Sequence, residues 1–220
     1  NVNNYSREKL NGREYNVYVI RKAQLYPLQA GQIELESAEL ENDIQFIKEE
    51  YANKKNDASD LFDALDASVI PPDGIINQKV NLRSKPVIIN VKELPEKNKP
   101  ASFAGAVGRF QMEATLQKTD FPANEPGKLI IKISGSGNLQ LVTAPVLSWP
   151  AGVDAFDPKF SEDINKTDIP VSGTKTFEYS FSVDKKGSYT VPPVEFSYFD
   201  PVSAAYKIVQ SKELKFNVTE

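Results

Sequence analysis

The reactive side chains of this chain are carboxylates, amines and hydroxyls, because its 220 residues include no histidine and no cysteine. Ser-His-Asp triads, thiol nucleophiles and the usual zinc sites each need one of the missing types, so all three are excluded. Asp154, Asp157, Glu162, Asp163 and Asp168 form a carboxylate-rich run of the kind that could hold calcium. Their spacing matches no calcium loop, and the run reads as a solvated loop. Gly135-Ser-Gly-Asn138 has no Lys-Ser/Thr after it and is not a phosphate-binding loop. It reads as a turn of backbone that needs positive φ. No pair of carboxylates for glycoside cleavage can be picked out, since their separation is invisible in sequence. No catalytic residue, no metal ligand and no cofactor-binding residue is therefore expected. Trp149, between Ser148 and Pro150, reads as a core plug rather than a sugar platform. Tyr198-Phe-Asp-Pro201 ends a strand in a turn, and Phe199 and Asp200 are candidate partner-binding residues at its tip.

The elements that position these residues are strands. Fifteen Pro, eleven Gly and abundant Phe, Tyr, Val and Ile favour strands and turns over helices. A net charge of −4 gives no footing for nucleic acid or an anionic membrane surface. No apolar run reaches the length needed to span a bilayer, and targeting or anchoring segments are expected outside this stretch.

One pattern occurs twice. Gly31–Leu40 aligns without gaps on Gly187–Phe196, bringing Ile33, Leu35, Ala38 and Leu40 over Tyr189, Val191, Val194 and Phe196. Upstream, Ala23 and Leu25 match Tyr179 and Phe181. Downstream, Ser84-Lys85 through Val91 matches Ser211-Lys212 through Val218. Self-similarity of this kind means tandem copies of one structural unit. The expected fold is all-β, with tandem immunoglobulin-like β-sandwich domains. Residues 1–94 would be the C-terminal part of one sandwich, 95–106 a polar linker, and 107–220 a complete sandwich of seven to nine short strands. Within the first copy, residues 14–25 and 32–40 read as the strands of a hairpin, and Pro86–Val91 as its last strand. The basic pair Lys185-Lys186 reads as a hairpin turn. Gly31 has only 30 residues before it, fewer than the second copy places before Gly187. The chain is accordingly read as a fragment whose unpaired edge at residues 14–40 invites self-association.

The first copy also carries an insertion. Leu40 to Ser84 spans 44 residues where Phe196 to Ser211 spans 15. Residues 39–66 hold nine Asp or Glu against three Lys. The insertion is placed at about 41–78 and read as partly helical, from the spacing of Ile44, Ile47 and Tyr51 and of Leu61, Phe62 and Leu65 after a candidate cap at Ser59. Leu61, Phe62 and Leu65 are candidate residues of an amphipathic partner-binding helix.

Several motifs in order resemble the BatD family. They are Leu94-Pro95 followed by Phe103-Ala-Gly-Ala-Val-Gly108-Arg-Phe110; Asn124-Glu-Pro126; Gly135-Ser-Gly-Asn138-Leu; Pro145-x-Leu147; Asp157-Pro158; Gly173-x-Lys-x-Phe177-x-Tyr179; and Pro192 through Pro201. Gly12-Arg-Glu-Tyr15 and Leu25 through Gly31 fit as well. The resemblance implies an exported, periplasm-facing protein tied to aerotolerance, with tandem β-sandwich domains and an inner-membrane anchor outside this chain. The partners it implies are the von Willebrand A-type proteins BatA and BatB and the tetratricopeptide protein BatE. Domains of the former type bind partner carboxylates through a metal, and Asp57, Asp60, Asp63 and Asp66 offer such groups. The function expected is a non-catalytic interaction scaffold, with no enzyme activity. The alternative is a carbohydrate- or surface-glycan-binding sandwich.

Overall fold

The computed structural model describes residues 5–52, 72–123 and 125–220, and its regular structure is nearly all strand. The chain divides into two compact units, residues 27–93 and residues 1–26 together with 94–220.

The first two strands are Tyr5–Leu10 (β1) and Arg13–Tyr18 (β2), an antiparallel hairpin closed by Asn11-Gly12. Both turn residues have positive φ, 51° and 83°, which is the backbone that a two-residue Asn-Gly loop supplies. Arg13–Tyr18 thus pairs upstream, and the hairpin of residues 14–25 with 32–40 expected from sequence does not form. Past the hairpin, the Gln24 side-chain amide donates to the Asp168 carbonyl and accepts from the Val171 N–H at 3.0 Å. Tyr26 Oη accepts from the same N–H at 3.3 Å. Those bonds tie residues 24–26 to the complete sandwich.

The unit of residues 27–93 holds two antiparallel ribbons. Gly31–Leu35 (β3) pairs with Val87–Val91 (β6), and Glu39–Ile47 (β4) pairs with Ile75–Arg83 (β5). Between β4 and β5 come a single helical turn at Glu49–Ala52 (α1) and a 3-10 turn at Pro72–Gly74. Ile44 and Ile47, whose spacing suggested a helix, lie in β4 opposite Gln78 and Ile75. Cross-strand pairing of β-branched side chains has prevailed there over helical spacing. Lys48 N–H donates to the Gly74 carbonyl at 3.0 Å and Tyr51 Oη lies 3.3 Å from Asp73, so contacts between the two sides continue past the last paired residues of the ribbon.

The second copy is a full two-layer sandwich. Its strands are Phe103–Leu116 (β7), Asp120–Pro122 (β8), Gly127–Gly137 (β9), Val153–Ala155 (β10), Lys159–Asn165 (β11), Ser172–Val183 (β12), Gly187–Val191 (β13), Glu195–Asp200 (β14), Ala205–Gln210 (β15) and Leu214–Thr219 (β16). One sheet runs β10-β12-β9-β7-β14-β15 with β11 also on β12, and the other runs β13-β16-β8. Inward residues of alternating strands meet between them: Leu129, Ile131 and Ile133, Phe177, Tyr179 and Phe181, and Phe216 and Val218. Phe181 lies 5.0 Å from Phe216 and 5.9 Å from Phe121, ring centre to ring centre, which locks one sheet to the other. Asp184 to Lys186 carries the chain from β12 in the large sheet to β13 in the small one. That connection is therefore an arch between layers, not the hairpin turn expected.

The repeat seen in sequence holds residue by residue in the pairing. Gly31 faces Val91 as Gly187 faces Val218, and Leu35 faces Val87 as Val191 faces Leu214. Glu39 opposes Arg83 as Glu195 opposes Gln210. Ser84 N–H donates to the Ala38 carbonyl and Ser84 Oγ accepts from the Ala38 N–H, both at 2.9 Å; Ser211 makes the same two bonds to Val194 at the same distance. What differs is the tip. The second copy turns within Pro201–Ala204, whereas the first extends both strands to Ile47 and Ile75 before its excursion.

Candidate interaction surfaces

The Phe103–Phe110 and Pro192–Pro201 motifs lie side by side in the complete sandwich. β14 lies parallel to β7, so Phe199 falls beside Val107 and Ser197 beside Phe103. Tyr206 of β15 donates its hydroxyl to the Pro95 carbonyl at 2.8 Å, and its ring packs edge-on against Phe103 at 4.9 Å and Phe199 at 5.2 Å. The Leu94-Pro95 end of the linker is thereby fastened to the same strands that carry the Phe199-Asp200-Pro201 motif.

The tip itself is turned inward. Phe199 and Asp200 are each only 8% exposed. Asp200 Oδ1 accepts from the Val202 N–H at 2.9 Å and from Arg109 Nε at 3.4 Å, while Oδ2 takes the Ser203 hydroxyl at 3.0 Å. The Val202 N–H, the Ser203 hydroxyl and the Arg109 charge hold its carboxyl below the ordinary carboxylate range against the opposing effect of burial. Asp200 thus closes the turn and ties it to β7. The side chain presented at the apex is Val202, which is 73% exposed. Leu61, Phe62 and Leu65, like Asp57, Asp60, Asp63 and Asp66, lie outside the described residues.

The glycine-rich motifs have a packing role. Gly108 of β7 faces Gly137 of β9, and Phe110 faces Gly135, which in turn faces Gly173 of β12. A Cβ on Gly135 would stand 2.1 Å from the Arg109 carbonyl oxygen, and one on Gly108 would stand 2.2 Å from that of Ser136. Their absence leaves space beside the Phe110 ring, in the way an aromatic covers a cross-strand glycine. Asn138 ends the ladder: its Oδ1 accepts from the Val107 N–H at 2.7 Å and its Nδ2 donates to the Gly105 carbonyl at 2.8 Å. At 6% exposed, this side chain replaces a strand partner where β9 stops.

The acidic run disperses. Asp168 receives Asn165 Nδ2 and the Ser172 hydroxyl, Glu162 pairs with Lys175 at 3.0 Å, and Asp154 stands on β10 opposite Ser182 while Asp163 stands on β11 opposite Thr174. Among the described residues, no three acidic side chains form a group that could hold a metal ion. Trp149 packs 5.0 Å from Phe181 at the core margin. A cavity of about 170 Å³ lies under residues 143–146, walled by Ala104, Ala106, Ala144 and Pro145. Its acid, Glu195, is already bonded to Ser102 at 2.5 Å and to Gln210 at 3.0 Å.

The ribbon β4–β5 is two-faced. Leu40, Asn42, Ile44 and Phe46 stand opposite Leu82, Val80, Gln78 and Ile76 on one face. Glu39, Glu41 and Asp43 stand opposite Arg83, Asn81 and Lys79 on the other. Leu40 is 36% exposed where its counterpart Phe196 is 7% exposed, and Ile89 is 42% exposed where Phe216 is 1%. Sequence reading missed this face because it assigned Ile44 and Ile47 to a helix. The alternation from Leu40 to Phe46 was the available signal.

A family model described as the BatD DUF11-like domain matches residues 114–218, wholly inside the complete sandwich. Over those residues the resemblance drawn from the motifs is shown, and the Leu94–Phe110 motif lies just ahead of them. No curated protein and no solved structure matches the chain. Among the described residues no helix is long and apolar enough to cross a membrane.

Proposed function

We propose that this chain, a Bat-type protein over its complete sandwich, is a non-catalytic interaction module of an envelope complex linked to aerotolerance. The observation that carries the reading is the BatD match over residues 114–218, together with a sandwich whose motif residues are spent on packing and turn closure. The family resemblance supplies the context: a periplasmic location, an inner-membrane anchor outside this chain, and BatA, BatB and BatE as partners. The surfaces that suit partner contact are the excursion from the β4–β5 tip and the Val202 apex. In this reading Phe199 and Asp200 shape the apex, and Leu61, Phe62 and Leu65 belong to the excursion.

Copurification from native envelopes with identification of captured proteins tests the reading. Von Willebrand A-type or tetratricopeptide proteins are expected in the eluate; their absence under gentle extraction would sink it. Deleting residues 53–71 should weaken capture of the von Willebrand A-type partners, and undiminished capture would remove the excursion from the contact.

A further inference from the structure

We infer that the uncharged face of the β4–β5 ribbon is a self-association surface, covered by the same face of a second copy of this chain. The register puts eight side chains on that face: Leu40, Asn42, Ile44 and Phe46, opposite Leu82, Val80, Gln78 and Ile76. None is charged, and every charged residue of the two strands stands on the other face. Exposures of 48% for Phe46 and Ile76 and 55% for Leu82 leave this stripe in water. A two-stranded ribbon in water is marginal alone and needs cover on its apolar face. The complete copy shows that the same scaffold buries this side, since its β14 places Phe196 in the core at the position of Leu40.

The stripe is built to meet itself. Two uncharged faces come together without burying an unpaired ion, whereas a charged partner would leave its ions unanswered there. Asn42 and Gln78 occupy the two middle pairs of the four, flanked by Leu40–Leu82 and Phe46–Ile76. An isologous contact crosses its own two-fold axis at the middle of the patch, so each amide meets amides of the other copy, with donors and acceptors on both sides. Pairing edge to edge through β4 is disfavoured, because in a register centred on Glu41 the acids Glu39, Glu41 and Asp43 would face Asp43, Glu41 and Glu39 of the other copy. The contact is therefore face to face, as two sheets of a sandwich pack.

The experiment reads the oligomeric state of the purified chain, so it stands apart from the partners named above. Sedimentation across two decades of protein concentration should show a reversible monomer–dimer equilibrium. Leu82→Lys and Ile44→Lys should each weaken it at least about tenfold, since each places an unpaired charge in the contact. Glu41→Gln, on the opposite face, should leave it unchanged. Fluorescence of Trp149, the only tryptophan, checks in every variant that the complete sandwich is folded. A monomer at all concentrations overturns the inference. So does a dimer indifferent to both lysines, or a monomer whose β4–β5 amides are already protected from exchange, which would place the cover within the same chain.

Discussion

Asp200 is the residue on which the tip of the complete sandwich depends. Its carboxylate satisfies a backbone N–H and a hydroxyl inside the turn and reaches Arg109 on the neighbouring strand. Because its folded pKa is lowered, its contribution is present at neutral pH and above the unfolded value of about 3.9, and fades as pH falls through the lower folded value. Asp200→Asn is therefore expected to lower the melting temperature at pH 7, with the gap to the parent protein closing in strong acid; an equal gap across the whole range would assign the effect to shape alone. Asn138 works through neutral hydrogen bonds and should behave differently. Asn138→Ala leaves the Val107 N–H and the Gly105 carbonyl without that side chain, and should cost about 2–3 kcal/mol in denaturant unfolding, independent of pH between 4 and 8. A loss well under 1 kcal/mol would show that water replaces it. Neither role was readable from sequence. Asp200 beside Pro201 announces a turn, but the partner on β7 lies 91 residues away, and no local pattern shows that distance closing.

At the scale of elements, the repeated strands were legible and some of their neighbours were not. Alternation from Ile33 to Leu40 and from Tyr189 to Phe196 fixes which side faces inward, and the shared Ser-Lys pair marks equal registers; the pairing obeys both. The partner of Arg13–Tyr18 was misjudged although Asn11-Gly12, a strong hairpin signal, precedes it. The arch at Lys185-Lys186 escaped because a turn between layers and a turn within a sheet use the same residues. Sheet order could not be read at all, since β7, β9 and β12 are set side by side by contacts far apart in sequence. Their glycine ladder gives this order a test. In Gly135→Ala the new Cβ meets the Arg109 carbonyl, part of the backbone, at 2.1 Å, and φ is +153°. The strands must part locally, and a loss of about 3 kcal/mol or more is expected in chemical denaturation. Gly152→Ala makes the comparison, for its φ is also positive at +86° but a Cβ there meets nothing. It should cost about 1–2 kcal/mol from backbone strain alone. Equal losses in the two variants would mean that the β7–β9 contact is not close-packed.

Across the whole molecule, two copies with one register have different fates. In the complete sandwich β13–β16 carries buried residues, with Phe216 packed on Phe181 of β12, and β14 carries buried residues beside β7, while in residues 27–93 no described residue other than Gly74 is buried. The registers agree all the same, so pairing within each ribbon is a property of the repeated sequence, and burial comes from the strands that cover it. Protection from amide exchange follows burial and cooperative contacts rather than pairing alone. In dilute solution, where the inferred dimer is dissociated, peptides covering Glu39–Ile47 and Ile75–Arg83 should exchange through local opening, orders of magnitude faster than peptides from Gly127–Gly137 and Ser172–Val183, which should exchange only with unfolding of the sandwich. Raising the concentration should slow the first pair and leave the second unchanged. Uniform slow exchange in dilute solution would mean that the ribbons form a cooperative unit on their own, and would contradict the view that the covering strands supply the stability of this fold.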